Sequence, residues 1–536
     1  MFGLQRSKRP KGPLVNASCQ IPVGVQPHFA QARSVLESTI DLLAGGQLAH
    51  ATHDEVERAV TDKGRELMRL LLGGHFELRG HARPCEAVVG SDGATRAHCR
   101  PGTVRRLVTT VGEVLVPRPA YSGRGLSALH PTDADLNLPP DSFSFELRRT
   151  VAEFAAEQSF DRSAKQVKAV TGVAVGQRQV EELTRAAAAD FHGFYLRCRE
   201  PVGRSDTGSL LVLTFDQKGV VMRREGLRDA TRQRAEAAQP MLDSRLTKGE
   251  KRDCKRMATV AAVYTVAPHA RTADQVVAGL RHLRVVDAKS RTPPPRPEGK
   301  RVWASLQDEL ATVVAQAFAE AQARDPRHEK RWLVIIDGDR KLQRAVQAQA
   351  ARLGVAVTIV LDFIHALEYL WRAGHALCAE GSRELEDWVL DRLAMVLNGK
   401  ASDVAAGMRR SATLRELSAQ ARKPIDVAAN YILSRKDMMR YDQLLALGAP
   451  IASGVIEGTC RSLVNDRMDL TGARWSLAGA EAMLQLRAIL RSGDWVAYWK
   501  HHTEAERVVN HDARYARSVA PKVELPRKGA HLRRIK

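Results

Sequence analysis

Along this chain the hydrophobic pattern switches between two periods, and the switches mark its parts. Over residues 30–79 apolar positions recur at helical spacing. Val56, Val60, Leu67, Leu70 and Leu71 share one face of HDEVERAVTDKGRELMRLLL, which predicts two helices. TVRRLVTT and EVLVPR then flank Val111-Gly112 and predict a β-hairpin. PTDADLNLPPDS, with Pro131, Pro139 and Pro140, reads as a joint between domains. Residues 145–198 are Ala-rich and helical, with a break at Thr171-Gly172. A helix, a short turn and a second helix over 177–190 resemble a helix-turn-helix pair, with Arg178, Gln179, Glu182 and Arg185 on the exposed face. An ordinary helical hairpin fits the same pattern.

From residue 210 the period shortens to that of strands. SLLVLTFDQKGVVMR predicts a buried strand over 210–215, a turn at Gly219 and a second strand, and MATVAAVYTVAP predicts a third. The basic, Pro-rich SRTPPPRPEGKR reads as an exposed loop. A helix over about 303–324 precedes RWLVIIDGD, a fourth strand. LQRAVQAQAARLG is a helix ending at Gly354, and VAVTIVLD is a fifth strand. A helix near Ile364 opens an all-helical stretch to about Leu447, and a helix resumes from Ser453. A meander followed by β-α-β crossovers implies an α/β fold whose mixed sheet carries helices on both faces. A mainly helical N-terminal region with a small β-hairpin precedes it.

A chain of 536 residues suggests two to four domains. Aromatics are only 5%, so aliphatic side chains and Ala must fill the cores. The net charge of +21 favours a polyanionic partner, most simply nucleic acid, although charge alone also suits a protein from an Arg-rich proteome. No run of about 18 apolar residues appears, and the basic MFGLQRSKRPKGPLVNAS lacks an apolar core of signal-peptide length, so no membrane partner is expected. Seven scattered cysteines fit reduced thiols in a cytosol. His81, Cys85, His98 and Cys99 cluster in the sequence, but the H-x3-C-x12-HC spacing is irregular and zinc is not expected. PKVELPRKGAHLRRIK is a basic tail that would add non-specific DNA affinity.

The candidate chemistry lies in three acids. Asp216 ends the first predicted strand, Asp337 ends the fourth, and Glu457 sits near a helix start. Singly, each has a plain reading as a turn former, a helix cap or an i+4 partner, here Arg461 for Glu457. Brought together, carboxylates cost free energy unless a cation neutralises them, and an all-oxygen acidic site suits Mg²⁺ or Mn²⁺. Two such ions about 4 Å apart can activate a water or a 3′-hydroxyl against a phosphodiester. Asp362 and His365 follow the fifth strand, three residues apart. Either Asp362 caps the helix holding His365, or the pair borders the metal site. Downstream, RMDLTGARWS offers Arg467 and Arg474 to clamp phosphates and Trp475 to stack on a base or to pack in the core. Lys218, Arg223, Arg224, Lys251, Arg252, Lys255 and Arg256 surround the early strands, either lining a DNA channel or standing as solvated edge charges.

The order of Asp in TFDQKG, Asp in IIDGD, D-x-x-H in LDFIHALEYLW and Glu in SGVIEGTCRSLVNDRMDLTGARWS resembles the DDE transposases with an RNase H-like core. A helical insertion before the glutamate is shared with the Mutator-like group. PTDADLNLPPDSFSFELRR, AAEQSFDRSA, RQVEELTRAAAADFHGFY and RMDLTGARWS look like blocks of the ISKra group of bacterial insertion-sequence transposases. The resemblance runs from roughly Val88 to Trp499, with Thr132 standing where that pattern has Leu. It implies that Asp216, Asp337 and Glu457 ligate two Mg²⁺ or Mn²⁺ ions, with Asp362 and His365 in support, to nick a transposon end and join its 3′-hydroxyl to target DNA. Beside it, the charge and placement of Arg178, Arg185, Lys218, Arg223, Arg224, Arg461, Arg467, Arg474 and Trp475 lead us to expect double-stranded DNA contacts through them. A homodimer or higher assembly in the bacterial cytoplasm, at the nucleoid, follows from the need to bridge two ends. The implied organisation is an N-terminal helical region (1–80), a hairpin module (81–140), a helix-turn-helix-like segment (141–205), the catalytic core (206–370 and 451–500) around a helical insertion (371–450), and a tail (501–536). A metal-dependent nuclease or junction resolvase on the same fold, and a non-catalytic DNA-binding regulator, are the rival readings.

Overall fold

The computed structural model describes residues 26–80, 87–197, 207–238, 242, 253–281 and 293–522. They fall into two compact units. One comprises Met1–Leu147, Lys168–Val173 and Thr503–Lys536, and the other Arg148–Val167 and Ala174–His502.

In the first unit the helical periodicity forms α1 (Ala30–Ala44) and α2 (His53–Gly80). A small pair, β1 (Val88–Val89) with β2 (Thr95–Arg96), precedes the expected hairpin of β3 (His98–Thr109) and β4 (Gly112–Gly123), which β5 (Leu126–Leu129) extends. Thr109 pairs with Gly112, so the hairpin loop is Thr110-Val111. Phe76 of α2 packs on Leu107, Val114, Val116 and Leu138. The Pro-rich stretch read as a joint is instead folded in. Pro131 opens α3 (Pro131–Asp135), a position where its missing N–H costs nothing, and Thr132, Asp133 and Ala134 are buried. Asp133 accepts from Arg118 and, at 3.5 Å, from Arg105. Of the Cys/His cluster, His81 and Cys85 lie outside the described residues, as do Lys251, Arg252 and the tail beyond residue 522.

The helical stretch resolves into α4 (Phe145–Glu157), α5 (Phe160–Thr171), α6 (Gln177–Ala187) and α7 (Phe191–Arg197). α5 ends at Gly172, whose φ of +74° a glycine adopts without strain. α6 buries Val180, Leu183, Thr184 and Ala187 and leaves Arg178, Gln179, Glu182 and Arg185 exposed, as the pattern required.

The second unit is built on a five-stranded mixed sheet. Its elements in chain order are β6 (Leu210–Val221), α8 (Asp229–Ala237), β7 (Lys255–Val266), α9 (Ala273–Leu280), β8 (Glu298–Ser305), α10 (Leu310–Arg324), β9 (Arg331–Ile336), α11 (Arg340–Leu353) and β10 (Val357–Leu361). The spatial order is β10-β9-β6-β7-β8. β6 runs antiparallel to β7 from Leu210↔Val266 to Val221↔Lys255, β7 is antiparallel to β8, and β6, β9 and β10 are parallel. Only the second strand therefore runs against the others, which is the RNase H-like topology. Five strands were expected, but two assignments change. No turn occurs at Gly219, because β6 continues through it in register with Met257. The helix expected from about residue 303 starts at Leu310, because Val302, Trp303 and Ala304 are buried in β8. Asp216 is thus inside a long strand rather than at its end.

Five helices form the stretch after the sheet: α12 (Phe363–Gly374), α13 (Arg383–Leu397), α14 (Ala401–Leu414), α15 (Ala419–Arg435) and α16 (Tyr441–Ala446). The chain then makes α17 (Gly454–Thr459), a π-helical turn at Cys460–Asn465, α18 (Asp466–Met468), α19 (Leu477–Ser492) and α20 (Trp495–Asn510).

Candidate active cleft

β6 is buried on both faces from Leu210 to Phe215, and it emerges at Asp216, which is half-buried. Asp216 Oδ1 accepts from the Gln217 amide at 2.6 Å. Its Oδ2 takes the Cys460 thiol at 3.2 Å and faces the Lys218 ammonium at 3.4 Å. Burial first, then the charge of Asp216, pushes the Cys460 thiol far above the usual thiol range, so it stays a donor.

Asp337 follows β9 at the head of a tight D-G-D turn. Its Oδ1 accepts from the Asp339 amide at 2.9 Å, and Asp339 in turn caps α11 through the amides of Lys341 and Leu342. Gly338 sits at φ +88°, and a Cβ there would fall 2.6 Å from Arg435 Nε and 2.8 Å from Tyr431 Oη. Both come from α15. Tyr431 Oη donates to the Asp337 carbonyl at 2.8 Å, and Arg435 Nε donates to the Gly338 carbonyl at 2.9 Å. Arg340 Nη2 returns a bond to the Ser434 carbonyl at 2.6 Å. Tyr431 stacks on Tyr369 of α12 with centroids 3.7 Å apart, and the Arg435 guanidinium lies over its other side at 4.0 Å. The inserted helices therefore grip the backbone of the turn that presents Asp337.

Glu457 projects from α17. Asp362, fully buried, sets where that helix begins. One oxygen caps α12 at the Ile364 amide (2.9 Å), and the other accepts from the Ser453 amide (3.1 Å) and from the Ser453 hydroxyl. Asp362 is thus the helix cap of the plainer reading, and it also tethers the start of the Glu457 helix. After α17 the π-turn frees carbonyls from the usual ladder. Arg487, 1% exposed, fills that need by donating to Leu463 at 2.8 Å and to Ser462, and also to Ala156. Burial lowers its guanidinium to about 10.

Asp216, Asp337 and Glu457 line one open cleft of about 590 Å³, together with Lys218, His365 and Arg461. His365 Nδ1 is 3.7 Å from Glu368. The i+4 pair Glu457–Arg461 does not form, and Arg461 lies 3.9 Å from Asp466 instead. No three of the acids lining the cleft bring ligand oxygens within 4.8 Å of one another among the described residues. That spacing does not suit one ion shared by all three. The three acids offer oxygen ligands alone, the donor chemistry that Mg²⁺ or Mn²⁺ takes.

Of the residues expected on DNA, Arg178, Arg185, Arg223, Arg224, Arg461 and Arg474 are exposed, and Arg178 is paired with Glu182 at 2.9 Å. Two others are buried. Trp475, 6% exposed, donates to the Met468 carbonyl at 3.0 Å and packs edge-on against Phe160, so its packing reading holds and its stacking on a base does not. Arg467, 2% exposed, lies beside the Phe160 and Trp475 rings, 4.9 Å from each centroid, and is not the exposed surface clamp that was expected. Cys460, Tyr431, Arg435 and Arg487 carry no sequence signal for their parts here.

Among the described residues no helix is long and apolar enough to cross a membrane, and Cys99, Cys254, Cys378 and Cys460 are free thiols. No family model matches the chain, and no curated protein does. Among solved structures, the Drosophila P element transposase strand transfer complex is similar at a TM-score of 0.30 and 11% identity, over 66% of this chain and 94% of that one.

Proposed function

We propose that this chain is a DDE transposase that binds the ends of an insertion sequence and cuts and joins DNA strands. One observation carries the reading. Carboxylates from β6, from the end of β9 and from α17, elements far apart in the chain, open onto one cleft of an RNase H-like sheet in a protein of net charge +21. Asp216, Asp337 and Glu457 would hold two Mg²⁺ or Mn²⁺ ions. When bound, such ions supply Lewis acidity and lower the pKa of a coordinated water or hydroxyl. The chain's own residues supply position. Cys460 and the Gln217 amide orient the Asp216 carboxylate, α15 fixes the Asp337 turn, and Asp362 through Ser453 fixes the start of the Glu457 helix. Lys218, Arg223, Arg224, Arg461 and Arg474 would draw the DNA backbone to the acids, and the exposed face of α6 would contact DNA through Arg178 and Arg185. The segment boundaries implied by the resemblance, and a dimer or larger assembly on DNA, belong to the same proposal.

The test is a strand-transfer assay on purified full-length protein with Mg²⁺, a labelled duplex from the end of its flanking element, and a plasmid target. Wild type should give joined product that EDTA abolishes, and Asp337→Asn should give none. Nicks without joining would indicate a nuclease. Tight binding with no product in Mg²⁺ or Mn²⁺ would indicate a DNA-binding regulator and remove the catalytic meaning of the three acids.

A further inference from the structure

Arg467 poses a physical problem that its packing does not solve. A buried guanidinium normally faces a carboxylate or spends its donors on carbonyls. Arg467 Nε donates to the Ala155 carbonyl at 2.8 Å, but its buried Nη2 has no hydrogen-bond partner and no carboxylate pairs with it among the described residues. The two rings beside it offset only part of that cost. Burial, and after it the charge of Arg487, lowers Arg467 to about 10.

Arg467 lies at the edge of a second pocket, of about 420 Å³, whose rim carries the exposed Arg223 and Arg474. Three helices of 11 residues or more start at its wall: α5 at Phe160, α6 at Gln177 and α19 just after Ser476. Helix starts present a partial positive charge. Two acids also line it, Asp161, which Lys165 engages at 2.7 Å, and Glu181. The pocket is distinct from the cleft yet shares a wall with it. Asp466 and Asp469 line the cleft, while Arg467 and Leu470 line the pocket. Trp475 pairs with the end of β6, its amide on the Val221 carbonyl at 3.1 Å. Five residues of strand from Asp216 to Val221 span roughly 17 Å.

We propose that this pocket is a phosphate site, filled by a phosphate of the bound DNA strand a few nucleotides from the bond over the cleft. An anion there would give Arg467 its missing partner and close the cation cluster. The DNA source rests on the transposase reading, while the phosphate site itself does not.

The experiment is ³¹P line broadening of inorganic phosphate by the full-length protein at constant ionic strength, without metal. Wild type and Asp337→Asn should broaden the line alike. Arg474→Gln, a rim variant that leaves the core intact, and Arg467→Leu should each weaken binding about ten-fold. A random-sequence duplex should then displace the phosphate from wild type. Displacement supports the DNA source. Broadening that depends on Arg474 but resists the duplex supports a site for free phosphate. Equal broadening by wild type and both arginine variants overturns the site, whatever the strand-transfer assay gives. A protein inactive in strand transfer that still binds phosphate through Arg474 keeps the site and loses the transposase reading.

Discussion

Tyr431 never enters the cleft, yet its hydroxyl determines how Asp337 is presented. Tyr431→Phe keeps the stack on Tyr369 and deletes one buried bond, so stability should fall by only about 1 kcal/mol. The turn backbone loses its anchor, and strand-transfer rate should drop on the order of ten-fold with DNA affinity unchanged, since a small misplacement of a reacting group is costly. Equal rates for the two proteins in single-turnover assays would show that Arg435 alone holds the turn. The three acids could be read from sequence because each breaks or follows an apolar run, where a lone carboxylate needs a reason. Tyr431, Arg435 and Arg487 could not, because an aromatic or an arginine on a helix looks the same whether it faces solvent or a carbonyl some 94 residues away. Trp475 was balanced between two roles for the same reason. Its neighbour Phe160, from another helix, settles the matter.

At the scale of elements, the β-α-β crossover was legible because β9 and β10 are short apolar runs ended by Asp and separated by a periodic helix. β6 and β8 were misjudged for opposite reasons. Gly219 looks like a turn in isolation, but the twelve-residue ladder with β7 carries the strand past it. β8 has only Val302, Trp303 and Ala304 to announce it after a Pro-rich approach, and its pairing with β7 makes it a strand. α17 and the π-turn offer the sharpest test at this scale. Arg487→Met removes the donors that satisfy Ser462, Leu463 and Ala156, with a replacement of similar length. Stability should fall by roughly 3 kcal/mol. Near-unchanged chemical denaturation would mean that water replaces the guanidinium at these carbonyls.

For the whole molecule, pH should act first on the first unit. Burial holds both His130 and His511 below the ordinary 6.5, and His511 donates through Nε2 to the Leu138 carbonyl at 2.7 Å. Both take a proton less readily folded than unfolded. Stability is therefore full above 6.5 and falls as pH drops below it. Melting followed from pH 7.5 to 5.5 should show a lower Tm at the acid end, and His511→Gln should flatten the slope. The π-turn has a consequence for the charge layout of the molecule as well. An α-helix rotates about 100° per residue. Removing one residue from Cys460–Asn465 would let the segment relax to regular helix and swing everything after it by that angle. Asp466 and Asp469 would leave the cleft, and Arg467 would turn out of its aromatic bracket. A single surplus residue thus decides which side of the shared wall Asp466, Arg467 and Asp469 face.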